Sequence, residues 1–150
     1  MMRINELNTQ LKGLCQNANE LLDTTGMSSY GIIENVEFDR SNFDETLFYD
    51  EFYNIMKKLD NICFTVKYLN SKVSGEYTLS KNITGRYKCS EYTYRSGSPI
   101  EFLYYDKFEA KYKWVISQVG YNGKDYYIVG YNHLPLEGLR VRIRKITEDK

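Results

Sequence analysis

From Ile4 onward the apolar residues fall at Ile4, Leu7, Leu11, Leu14, Ala18 and Leu21, alternately three and four apart. That spacing places them along one stripe of an α-helix. Gly13 weakens the helix by roughly 1 kcal/mol relative to alanine, and Thr24-Thr25-Gly26 predicts where it stops. A second row, Phe48, Phe52, Ile55, Leu59, Ile62, Val66 and Leu69, keeps the same rhythm over three heptads. Ser41 followed by Asp44 resembles a capping box, with Asp standing where Glu or Gln is usual. Asp44 and Glu45 fall where the positive end of the helix dipole favours them. Antiparallel packing of the two helices is expected to bury both rows. Met56 and Cys63 lie beside the second row as an apolar excess, so a further cover is expected, either the C-terminal half of the chain or the same helix of a second copy. Between the helices, the alternation from Ile32 to Phe38 predicts a loop or one short strand.

After Gly75 the period changes to two. The segments GEYTLS, TGRYKC, EYTYR, PIEFLYY, KYKWVISQV, KDYYIVGY and LRVRIRK are short, rich in tyrosine and β-branched residues, and separated by turn residues. Asn122-Gly123 predicts a hairpin joining the strand through Trp114 and Val119 to the strand through Tyr126 and Val129. Trp114, Tyr126 and Ile128 are read as core. Five to seven short strands in about 75 residues close most simply as a small curled barrel, because curling removes exposed edges. The expected fold class is α+β: an N-terminal helical hairpin over residues 1–72, then a small antiparallel SH3-like β-barrel over residues 73–150.

The 150 residues suffice for a core without covalent staples. Basic and acidic residues balance at 20 each, so no overall field draws the chain to polyanions or membranes. The balance is uneven along the chain, with 7 basic against 11 acidic residues through Lys72 and 13 against 9 beyond it. Such asymmetry suits two modules with different surfaces. Three widely spaced cysteines and a single histidine support neither a disulfide framework nor a zinc site, so reduced thiols in a cytoplasmic protein are expected. There is neither the apolar run of a signal peptide nor the 18 or more apolar residues of a membrane span. Abundant Tyr, Asn, Lys and Ile, whose codons are AT-rich, point to a low-GC bacterium or its phage.

The C-terminal half, through Gly85-Arg86-Tyr87, SGSPIEFL at 96–103, Trp114, GKDYYIVGY at 123–131 and LEGLRVRIR at 136–144, resembles a small β-domain family of Firmicutes and their mobile elements, domain of unknown function 5348. The resemblance implies a fold and a genomic neighbourhood. It carries no catalytic or binding residues.

Leu139, Val141 and Ile143 alternate with Arg140, Arg142 and Arg144. In a strand the three arginines would share one face at ~6.6 Å intervals, near a nucleic-acid phosphate repeat. Lys145 extends the charge, and 11 of the 15 tyrosines lie in this half, where faces such as those of Tyr127 and Tyr131 could stack bases. The competing reading is the wetted outer face of an edge strand, whose basic residues discourage pairing. Exposed tyrosines beside arginines also mark protein interfaces. The acidic run containing Asp39, Asp44, Glu45, Asp50 and Glu51 is read as a helix start, and His133 as a turn residue. No Walker A, GxGxxG, GxSxG or HExxH pattern occurs, so no enzyme, cofactor or metal site is expected.

These readings converge on a non-enzymatic binding or adaptor protein acting by protein–protein recognition, with a homodimer through the helices as one form of association. A specific version, suggested by the mobile-element neighbourhood alone, is an inhibitor of a host defence or regulatory complex. The alternative is a nucleic-acid-binding protein that uses Arg140, Arg142, Arg144 and neighbouring tyrosines.

Overall fold

The computed structural model describes residues 1–28 and 30–145. The chain divides into two compact units, the first ending at Ser71 and the second beginning at Lys72.

The first unit is a hairpin of α1 (Ile4–Thr25) and α2 (Phe43–Leu69). Gly26 ends α1 in the left-handed region at φ 67°, and its N–H donates to the Leu22 carbonyl, the αL stop that favours glycine. The start of α2 differs from expectation. Asn42 is the cap, its Oδ1 accepting from the N–H groups of Asp44 (3.0 Å) and Glu45 (3.2 Å). Ser41 instead hydrogen-bonds Asp39, which holds the Asp39 carboxyl below its ordinary value. The segment between the helices forms no strand among the described residues, only an isolated bridge between Met27 and Ile33. Ile33 is buried with Leu22 and Met56 in the hairpin's small core.

The helices run antiparallel, as Asn8 meets Asn70 and Cys63 Sγ meets the Cys15 carbonyl at 3.8 Å. The buried helix positions are Cys15, Leu22, Met56, Cys63 and Tyr68; of the predicted rows, Leu11, Ala18, Leu59 and Val66 are half-buried, while Leu14, Leu21, Ile55 and Ile62, each one residue before a buried position, are exposed. Small side chains at Cys15, Ala18 and Cys63 let the helices approach closely, and one contact can bury only one narrow seam from each helix. Met56 and Cys63, counted as excess, are thus buried in the seam.

Desolvation, with help from Cys15, pushes the Cys63 thiol from 9.0 up to about 11. The neutral thiol therefore favours the folded state. Its contribution is whole below the unfolded value of 9.0 and is lost as pH rises toward about 11. Alkylation of the native chain by iodoacetamide at pH 8 is expected to leave Cys63 unmodified while the urea-unfolded chain reacts. Equal rates in the two states would refute this burial.

Among the described residues the second unit contains eight strands: β1 (Lys72–Thr78), β2 (Ser80–Lys81), β3 (Tyr87–Cys89), β4 (Tyr92–Thr93), β5 (Pro99–Asp106), β6 (Lys111–Tyr121), β7 (Tyr126–Ile128) and β8 (Arg140–Lys145). They form an antiparallel five-stranded sheet, β1-β8-β5-β6-β7, and a three-stranded sheet, β2-β3-β4. One cluster takes buried residues from both sheets, including Leu79, Tyr87, Cys89, Tyr94, Ile100, Phe102, Val119, Ile128 and Val141. The β6–β7 hairpin forms where Asn122-Gly123 predicted it. Its loop spans 122–125, with Gly123 at φ 93° and Asn122 Oδ1 accepting from the N–H groups of Lys124 and Asp125.

Two placements differ from the sequence reading. The arginine strand β8 lies between β1 and β5 and so is not an edge. Trp114 pairs with Leu103 on the face opposite Phe102 and Val115, outside the core cluster. The first follows from strand order and the second from register, since a period of two sends every second residue of β5 and β6 away from the core.

Candidate functional site

On the outer face of the five-stranded sheet, register sets Glu76, Arg142, Glu101 and Ile116 side by side on β1, β8, β5 and β6. The arginines predicted to form a comb are held by carboxylates there. Glu101, 1% exposed, accepts from Arg142 Nε at Oε1 and from Arg144 Nε at Oε2 (2.8 Å). Arg144 Nη2 adds a third bond to Oε1 at 3.1 Å. The two arginine side chains are 20% and 10% exposed. The Arg142 guanidinium also lies 4.4 Å from the centroid of the Trp114 ring, close enough for a cation–π contact. Arg140 differs, since its side chain is 61% exposed and pairs with Glu76 at 2.8 Å.

A buried carboxylate flanked by two guanidinium groups is satisfied only while both stay in place, because each charge-assisted bond offsets a desolvation cost. Arg142 and Arg144 are thereby committed to the fold, leaving Arg140 and the exposed Lys145 as the outward charges of this strand. Sequence reasoning passed over Glu101. The signal was a single acidic residue inside PIEFLYY, at the position that alternation directs away from Ile100 and Phe102.

The two tyrosines predicted to bind lie apart from this cluster. Tyr131 packs edge-on against Phe102 at 5.2 Å and Tyr104 at 5.0 Å, at the margin of the core. Tyr127 lies across Gly120, where an added Cβ would come within 2.6 Å of its ring, and lines a shallow hollow of about 240 Å³ with Asn122 and Asn132. Tyr105 and Tyr112, 45% and 67% exposed, form a cross-strand edge-on pair at the far end of β5 and β6. Beside them Lys113 holds Asp106 below its ordinary range through a 2.8 Å ion pair.

His133 occupies an exposed turn. In the acidic run, Asp39 serves Ser41, and Glu45 accepts from the Asp39 N–H. Among the described residues no group of three or more His, Cys, Asp and Glu side chains is placed to hold a metal ion, and no helix is long and apolar enough to cross a membrane.

The hairpin carries the larger feature. Leu7, Leu14 and Leu21 of α1, and Phe48, Phe52, Ile55 and Ile62 of α2, are 42–65% exposed. Each precedes a seam residue by one position, as Leu14 precedes Cys15 and Ile62 precedes Cys63. One position is a 100° turn about the helix axis. Because the helices are antiparallel, equal turns of the same sense bring both rows to the same side of the hairpin. Leu14 thus neighbours Ile62 and Leu21 neighbours Ile55, forming one apolar face two helices wide. Seven large apolar side chains exposed together on one side form a patch of the kind that marks an interaction surface rather than scattered surface apolar residues.

Residues 78–143 match the model of a domain of unknown function (DUF5348), so the C-terminal half carries a DUF5348 domain. No curated protein and no solved structure matches the chain.

Proposed function

We propose that this chain, a helical hairpin joined to a DUF5348 domain, is a non-enzymatic binding protein that works by protein–protein recognition. The observation that carries the reading is the apolar face of Leu7, Leu14, Leu21, Phe48, Phe52, Ile55 and Ile62. Bare apolar area of this extent is stabilised by covering it, and a protein surface is the cover that fits two parallel ridges of helix side chains. The DUF5348 half is read as an SH3-like barrel, a view supported by the single core that residues of both sheets share.

Nucleic-acid binding through Arg140, Arg142 and Arg144 is the weaker reading. Two carboxylates neutralise most of that face, and Arg142 and Arg144 would have to leave Glu101 to meet phosphates. One assay separates the two. Affinity capture from the native host, with and without nuclease, is expected to recover a protein that survives nuclease and is lost with the Leu14→Glu/Ile62→Glu chain. Capture abolished by nuclease, together with a salt-sensitive gel shift of DNA or RNA, would reject protein recognition in favour of the second reading.

A further inference from the structure

We propose that Cys15 and Cys63 form a redox-sensitive pair, joined under oxidising conditions by one disulfide that fastens α1 to α2. The inference goes beyond the protein-recognition reading and holds whatever the bare face meets.

Geometry carries it. Asn8 faces Asn70, Cys15 faces Cys63, and Leu22 shares a core cluster with Met56, three pairings spaced seven residues apart on each helix. About two helical turns separate each pairing from the next, so the cysteines occupy the middle of a seam fixed on both sides. Their exposures are 8% and 6%. The Cys63 thiol donates to the Cys15 carbonyl at 3.8 Å, and the two thiols also interact side chain to side chain. A tight seam calls for small side chains, and a free cysteine serves as a small hydrophobe. That need alone does not bring two of the chain's three thiols together from positions 48 apart.

The oxidant is a low-molecular-weight disulfide. One cysteine thiolate attacks it, forming a mixed disulfide and releasing a small thiolate, which takes up the proton the cysteine lost. The second cysteine then attacks its neighbour's sulfur, the bond to the small thiol breaks, and a second small thiol leaves. The two cysteines thus give up two electrons and two protons, and one small disulfide becomes two thiols. Because the seam holds the second thiol at contact range, that exchange is intramolecular. Burial makes the first attack wait for an opening of the hairpin. This slows the bridge without weakening it, since an equilibrium depends only on its end states. The fold that seats the thiols together favours the bridge, and by linkage the bridge favours the folded hairpin.

Equilibration of the full chain in a buffer of reduced and oxidised glutathione, followed by acid quenching, thiol blocking and peptide mass mapping, tests the inference. A peptide pair linked through Cys15 and Cys63 is expected, two hydrogen atoms lighter than its reduced parts. Cys89, beside the Tyr94 hydroxyl in the second unit, is expected to stay reduced. The ratio of bridged to reduced pair is expected to be at least ~10-fold higher in the native chain than in the urea-unfolded chain. This comparison uses the unaltered sequence, so it does not depend on a variant that folds. An equal or lower ratio in the native chain, a link through Cys89, or glutathione adducts at Cys15 and Cys63 in place of the linked peptide would overturn the inference.

Discussion

Replacing Glu101 with alanine is expected to destabilise the β-unit by about 3–5 kcal/mol, the range for breaking a buried ion pair by removing one partner. The cause is what remains behind. Arg142 and Arg144, 20% and 10% exposed, would keep their charge and lose the carboxylate that receives it. Glu101→Gln retains an acceptor at nearly the same place without the charge, so it is expected to lose less than alanine and still more than a surface substitution. Urea unfolding at pH 7 followed by Trp114, the single tryptophan, reads both, since Arg142 lies over its ring. Its native emission is expected to shift in both variants as Arg142 loses its anchor. A midpoint within error of the native chain for Glu101→Ala would show that the cluster contributes nothing and would return Arg142 and Arg144 to the pool of available surface charge.

The adjacent residue makes the contrasting case. Phe102 is 0% exposed and shares its face with Val115 and Val141, its register partners on β6 and β8. Its ring meets Tyr131 at 5.2 Å and Tyr104 at 6.4 Å. Phe102→Ala is expected to cost about 3–5 kcal/mol through lost burial and the cavity left behind, and Phe102→Leu distinctly less. Here Trp114 emission in the native baseline should stay unchanged, because the lesion opens on the other side of the sheet. A similar loss for Leu and Ala would mean that the site collapses around either side chain, contrary to a tightly packed core.

These neighbours show how far the sequence could be read. Alternation alone assigned Val141 to one face and Arg142 to the other, because a strand's side chains have a period of two whatever surrounds it. It could not show that Glu101 on β5 would stand opposite Arg142 on β8, since 41 residues separate them and pairing depends on strand order. The same gap led to β8 being read as an edge and Trp114 as core. In the hairpin, the period of 3.6 located both helices and their apolar rows. It did not choose between two adjacent seams, because both are compatible with helical periodicity and differ only in how closely the second helix can approach.

The sequence by itself determined the two rhythms, the helix boundary at Gly26, the turn at Asn122-Gly123 and the unlike charge of the two halves, all of which depend on residues near one another in the chain. Tertiary structure alone decided which apolar helix positions are buried and which are bare, and that the arginines are met by Glu101 and Glu76. Contacts between distant segments are set by the order and spacing in which elements pack, and a local pattern carries no record of either.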